Sequence, residues 1–364
     1  MIKVLYDGWS LVRQPNSPAA LHLYTLLCQR HAQVEALVAL PEQPPDWLPE
    51  GAIPHVLPTL NTERDRLRWE QGSLLSLADR LMAHLLHLTT DTPPLFGSTI
   101  VVLSPAEFPT HERPTGFASR LRLAMASGGM ARIRGVFLPV DLAGVPSARV
   151  KSPLIPLPVE PFPPADADLS QVFPQFDALE LPDTYILYHG PHEASALRLL
   201  INAWSWAAGS IGRDYPLLII GLDTDSQRDL HRILLETDLV DTVRPLPILH
   251  PALISPLYQN CSAVFHPAPL ALWGNTIRLA LAYGKPLVAA ENAVSDGLAG
   301  AGAYLAPQDD SRALGAALIS VIVEEKLAQK LVGAGRQRLA RWNTGAFQGE
   351  LYAAYRAILS REKS

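Results

Sequence analysis

The first residues in this chain whose types and spacing suggest chemistry are histidines. His189 and His192 flank Gly190 and Pro191 directly after the apolar run TYILYHG, and the C-terminal end of such a strand is where open α/β sheets bind ligands. The pair is either a polar contact in a cleft or part of an ordinary loop. His250 and His266 also follow apolar runs, and each either faces a cleft or satisfies a loop carbonyl. His84 and His87 lie three apart in a leucine-rich segment, a helical spacing that can bring two imidazoles to one metal. No third ligand accompanies them, so a satisfied or surface role is expected and no metal site. Gly297, Gly300 and Gly302 form a superficial Gly-x-Gly, but they follow a loop and lack the downstream acid of a dinucleotide fingerprint. Neither a Gly-x-Ser-x-Gly elbow, nor a P-loop lysine, nor a paired catalytic carboxylate is present, which removes the usual hydrolase and phosphotransferase readings.

Elements must position these side chains, and the composition says what kind. The 364 residues are 48% hydrophobic and 18% charged, enough for two domains with a core each. A net charge of −5 argues against nucleic acid as a partner. Cys28 and Cys261 have no Cys-x-x-Cys or Cys/His ligand spacing, which suggests neither disulfides nor zinc and fits a reducing cytoplasm. No run approaches the roughly 20 apolar residues of a membrane span, and the apolar run after Lys3 ends at Asp7, unlike a signal peptide. The 33 prolines read as stiff connections.

Along the chain, residues 2–6, 35–40, 99–103 and 135–138 read as strands, and residues 19–30 and 120–132 as helices. The leucines at 67, 74, 77, 81, 85 and 88 predict an amphipathic helix from Arg64 to about Leu88. This alternation, over 1–160, is what a parallel sheet requires. Residues 161–182 are crowded with proline and acid and read as a linker. A second alternation over 183–341 places strands at 185–188, 216–221, 242–246, 263–266 and 286–289, with helices between them. Residues 342–364 supply a last amphipathic helix from about Ala346.

The segment FHPAPLALWGNTIRLALAYGKPLVAA, residues 265–290, resembles the signature of family-4 (group 1) retaining glycosyltransferases. Pro267, Trp273, Gly274, Ala280, Ala282, Gly284 and Pro286 fall in register with it. TYILYHG, LLIIGLD and the Leu257–Tyr258 pair resemble other stretches of the same family, as do LYDGWSLVRQP and RLRWEQGSLL in the first half. The resemblance implies an α/β GT-B fold: two Rossmann-like doubly wound domains facing across a cleft, the first on the acceptor side and the second on the nucleotide-sugar side. It also implies that the terminal helix returns to the first domain.

The departures fall on polar positions. The two signature glutamates of the family correspond to Ala271 and Leu279, which can neither accept a hydrogen bond nor stabilise positive charge. The family's Arg and Lys after the first strand of the second domain correspond to GPHEASALRLL, with Glu193 and no base before Arg198. Its glycine-rich loop and its His-Asp correspond to NSPAAL and LSPAEF. No catalytic residue is assigned. The candidates for donor and phosphate binding are Gly190, His192, Asp223, Trp273, Gly274, Asn275, Thr276 and Arg278, with backbone amides near Gly274 meeting phosphate. Against this, Trp273 and Gly274 merely pack the domain. The resemblance implies transfer of a mannosyl- or glucosyl-like hexose from a UDP-, GDP- or ADP-sugar to a glycan or lipid-linked acceptor, with no metal or other cofactor. The alternative is a catalytically inactive homologue that serves as a binding or scaffolding subunit beside a protein partner. The expected location is the cytoplasm, or the periphery of a membrane's inner face.

Overall fold

The computed structural model describes residues 1–106, 116–139, 152–160, 176–268 and 272–361. The chain divides into two compact units, one of Met1–Gln14, Ala19–Glu160 and Asn343–Ser364, the other of Pro15–Pro18 and Pro161–Trp342. Residues 161–175 of the expected linker lie outside the described residues, as do Ala271 and the end of LSPAEF.

The first unit contains β1 (Ile2–Asp7), α1 (Trp9–Arg13), α2 (Pro18–Cys28, whose first residue belongs to the second unit), β2 (Val34–Leu40), β3 (Ala52–Val56) and α3 (Glu63–Arg68). A π-helical turn, Trp69–Ser73, continues into α4 (Leu74–Leu81), followed by β4 (Leu85–Leu88), β5 (Ile100–Leu103), α5 (Phe117–Gly129), β6 (Ile133–Pro139) and β7 (Leu154–Leu157). The strands form a seven-stranded sheet in the order β3-β2-β1-β4-β5-β6-β7, every pair parallel. Its order reverses at β1 and β4.

The predicted helix from Arg64 to Leu88 is corrected by the structure. The helical run ends at Leu81, Met82 takes a left-handed conformation with φ 52°, and Leu85–Leu88 is a strand with all four residues buried. A short strand buried on both faces shows no polar alternation to distinguish it from a helix. His87 is therefore on a central strand, and His84 accepts a hydrogen bond from the Lys3 amide at 2.9 Å. No group of three or more potential metal ligands occurs among the described residues.

The second unit contains β8 (Ile186–Tyr188), α6 (Ala194–Ile211), β9 (Leu217–Leu222), α7 (Thr224–Thr237), β10 (Val243–Pro247), α8 (Ile254–Asn260), β11 (Ala263–His266) and α9 (Asn275–Ala282). It continues with β12 (Leu287–Glu291), α10 (Ala293–Ala299), β13 (Tyr304–Pro307), α11 (Ser311–Val323) and α12 (Glu325–Leu339). Its six-stranded parallel sheet has the order β10-β9-β8-β11-β12-β13 and reverses at β8 and β11. Leu197, Leu200, Ile201 and Trp204 of α6 and Leu314, Ala317 and Leu318 of α11 pack on one face of this sheet, the apolar spacing of three and four that a helix buries. Capping side chains set the helix starts: Asp310 accepts from the Ala313 amide, and Asn292 and Ser295 form a capping box at α10.

Strands β3, β7 and β13 carry no strand pattern of their own in the sequence. Each holds a proline (Pro54, Pro156 and Pro307), and each is the outermost strand described on its side of a sheet, the position where a missing N–H is tolerated. The fourth outer strand, β10, carries Pro245 and Pro247. The Gly300–Gly302 segment is a 3-10 turn before β13, and Gly302 lies against Gly335 of α12.

The last helix, α13 (Thr344–Arg361), belongs to the first unit. It buries Phe347, Leu351, Tyr355 and Ile358, one stripe of a helix. No helix of the described residues is long and apolar enough to cross a membrane.

Candidate functional site

The polar residues singled out in the sequence gather at the C-terminal edge of the second sheet, on either side of the point where its order reverses. His189 follows β8, His266 ends β11, and Asn275 opens α9. His189 donates through Nε2 to the backbone carbonyl of Asn16 at 2.9 Å, which leaves Nδ1 to accept from the Tyr258 hydroxyl at 3.2 Å. Burial, partly offset by the bond to Asn16, pushes its pKa down to about 4. The His266 ring stacks on Tyr188 with centroids 5.4 Å apart. Neither of its nitrogens has a partner among the described residues, and burial pushes it down to about 3.

The eight candidates divide by what they already hold. Gly190 is demanded by close approach, because a Cβ there would lie 2.3 Å from Cε1 of His266 and 2.8 Å from the Tyr188 ring. His192 bonds the Ile220 carbonyl, its Nε2 is buried without a partner among the described residues, and burial brings its pKa to about 4. Asp223 is the N-cap of α7, its carboxylate accepting from the Ser226 amide at 2.8 Å. Trp273 is buried. Gly274 takes the left-handed conformation, φ 54° and ψ 41°, that starts α9, a geometry glycine adopts without strain. Asn275 donates through Nδ2 to the Pro18 carbonyl at 2.8 Å, and Thr276 donates its hydroxyl to the His189 carbonyl at 2.5 Å. Arg278 is wholly buried and donates to Oδ1 of Asn275 at 3.1 Å, so its charge faces the interior and does not project into solvent from the strand ends. Leu279, at the second signature position, is also buried. His250 accepts from the Ala252 amide and starts a 3-10 turn.

Asn16 also joins this edge of the sheet. Only 3% exposed, it accepts from the Leu249 amide at 2.8 Å and donates to the Leu249 carbonyl at 3.0 Å. The only signal in the sequence was the departure of NSPAAL from the family's glycine-rich loop.

The first unit has its own polar constellation at the C-terminal end of β1. Asp7 accepts from the Trp9 amide at 3.0 Å and from Nε1 of Trp69 at 2.8 Å, and burial raises its pKa. Glu70, in the π-helical turn, is paired with Arg66 at 2.7 Å and Arg122 at 2.8 Å. Burial opposes its ionisation, but the two guanidiniums outweigh it and hold the carboxyl below the usual range. π-Turns inside helices recur at functional sites, and RLRWEQ was the visible signal here. Beside this, His87 joins Tyr355 of α13 at 2.5 Å to Ser104 at 2.7 Å, and Tyr355 meets Tyr6 of β1 at 3.3 Å. Burial lowers His87 to about 3.

Comparison with known proteins agrees with this architecture. Residues 183–324 match the family described as Glycosyl transferases group 1. No curated protein matches the chain. Among solved structures, sucrose-phosphate synthase from Thermosynechococcus elongatus is similar at 15% identity, covering 99% of this chain and 100% of that one with a TM-score of 0.66. WaaG, a glycosyltransferase involved in lipopolysaccharide biosynthesis, matches at 14% identity over 98% and 99% of the chains with a TM-score of 0.67. Anabaena HepE, solved with UDP and glucose, matches at 16% identity over 97% and 99% with a TM-score of 0.65. With two parallel Rossmann-like units and a last helix that belongs to the first, the chain has the GT-B fold, and residues 183–324 of its second unit are similar to the family described as Glycosyl transferases group 1.

Proposed function

We propose that the protein binds a nucleotide-sugar at the C-terminal edge of its second sheet and transfers the hexose to a glycan or lipid-linked acceptor. The observation that carries this is positional. The family match covers 183–324, and within those residues the unused ring nitrogens of His192 and His266 and the first turn of α9 stand at the reversal of strand order, where open parallel sheets take ligands. The first amides of α9 have no partner within the helix and suit a phosphate. His192, neutral and donating to Ile220, offers Nε2 as an acceptor for a sugar hydroxyl. The complex of HepE with UDP and glucose supports this class of donor.

Isothermal titration with UDP, GDP and ADP and their hexose conjugates tests the donor. Saturable binding of one nucleotide and its sugar is expected. No binding at millimolar ligand, by the chain or by its Asn16 variants described below, overturns the assignment.

A second reading, an inactive homologue acting as a binding subunit, is favoured by the basic residues. Between each of the strands β8 to β11 and the first turn of the next helix, the one arginine or lysine is Arg278, which is buried and bonded to Asn275. Arg198, further along α6, pairs with Glu236 at 3.0 Å. Among the described residues of these connections no mobile side-chain cation stands ready for a departing diphosphate, and loss of one preorganised electrostatic contact typically lowers kcat about 10²- to 10³-fold. Donor binding without release of nucleoside diphosphate across an acceptor panel would decide for the inactive homologue.

A further inference from the structure

Four connections at one edge of the second sheet converge on the same short segment, Pro15–Pro18. Asn16 accepts His189 Nε2–H just after β8 and pairs through its carboxamide with both backbone groups of Leu249 just after β10. Its Cβ lies where a side chain on Gly221 of β9 would be, 2.9 Å from the Cβ such a residue would carry. The Pro18 carbonyl accepts from Asn275 in the first turn of the helix after β11. The segment therefore runs across the ends of four neighbouring strands, β10, β9, β8 and β11, the crevice in which a doubly wound sheet receives its ligand.

The contacts have the character of a bound ligand's. A carboxamide presents one acceptor and one donor side by side in a plane, and Leu249 answers with its amide and carbonyl. The base of a nucleotide carries the same kind of edge, an acceptor beside a donor. Gly221, at φ +85°, leaves the room that the segment fills. Beneath lies His192, whose Cε1 is within 3.3 Å of that same absent Cβ and whose Nε2 has no partner among the described residues.

We propose that Pro15–Pro18 is an intramolecular occupant of the nucleotide site, with Asn16 holding the Leu249 peptide groups in place of the base, so that a nucleotide must displace it to bind. This rests on the second unit being the nucleotide-binding one. Apparent affinity is then reduced by the fraction of molecules in which the segment is docked: a site open in one molecule in ten binds about tenfold more weakly than one always open.

The test compares UDP, GDP and ADP binding by the wild-type chain, Asn16→Ala and Asn16→Leu, the latter of similar size without the polar atoms. Both variants should bind the preferred nucleotide about tenfold tighter or more. The Leu249 amide, protected from hydrogen exchange by Asn16 in the wild type, should exchange faster in both variants and regain protection when nucleotide is added, a readout that also shows the variants to be folded. Unchanged or weaker binding by both variants overturns the proposal and leaves the donor assignment standing, with weaker binding making Asn16 part of the ligand's own contacts. Absence of binding by all three proteins overturns the donor assignment, and the occupant with it.

Discussion

Gly190 and Gly209 both belong to the second unit, and a methyl group added to each has opposite expected effects. At Gly190 the new Cβ would stand 2.3 Å from His266 and 2.8 Å from Tyr188, both held in the interior. Gly190→Ala should therefore cost about 1–3 kcal/mol by overpacking, read as a lower urea midpoint. Gly209 lies within α6 with nothing within 4 Å of its would-be Cβ, and Gly209→Ala should gain about 0.5–1 kcal/mol by lowering the freedom of the unfolded chain. The buried histidines set the response to acid. His87, His189, His192 and His266 have folded values of about 3 to 4, depressed first by burial, against about 6.5 in an unfolded chain. Between these values the unfolded state binds more protons, so stability is complete above about pH 6.5 and falls as pH drops toward 4. Each histidine contributes a slope of up to about 1.4 kcal/mol per pH unit. Urea midpoints at pH 7.5, 6 and 5 should fall in that order, and a flat profile would show that these imidazoles are hydrated.

The terminal helix shows what a single element contributes. Tyr355 of α13 is the hydroxyl shared by His87 of β4 and Tyr6 of β1, and Leu351 one turn earlier is buried. Tyr355→Phe should cost about 1–3 kcal/mol by leaving a buried His87 nitrogen without its partner. Leu351→Ala should cost about 2–5 kcal/mol as a cavity. Guanidinium unfolding followed in the first unit checks both, and an effect below about 0.5 kcal/mol would mean that the helix is not held by these contacts. This helix was legible because Phe347, Leu351, Tyr355 and Ile358 repeat at helical spacing, and the inner strands because runs such as LLIIGL are apolar throughout. Proline hid β3, β7 and β13, since at a sheet's margin a strand is set by its neighbour and not by its own propensity. The site was legible in part: the ends of β8 and β11 were marked by His189, His192 and His266, and the turn into α9 by the signature. The inward turn of Arg278 was not, because Asn275 binds it only once α9 has formed. Nor was Asn16, whose partner Leu249 is 233 residues away and offers only backbone.

At the scale of the molecule, a composition with two cores and a modest net charge of −5 is realised as two parallel sheets of seven and six strands. All candidate nucleotide contacts lie in the second unit, so saturating nucleotide should slow hydrogen exchange in β8 to β11 and leave β2 and β5 unchanged. Protection spread equally over both sheets would contradict the placement. A nucleotide at a hundred times its Kd adds about 2.7 kcal/mol to the state it binds, well within reach of that measurement. The proline-bearing outer strands also bear on self-association. An outer strand offers unpaired peptide groups to any passing chain, and templated growth from such a margin is how soluble sheets turn into fibrils. Pro54, Pro156, Pro245, Pro247 and Pro307 each withhold the amide that a recruited strand would need. The protein therefore carries gatekeepers against self-templating on all four flanks of its described sheets. Replacing Pro54 and Pro156 by valine should leave the fold in place while raising thioflavin-positive precipitation on prolonged warming.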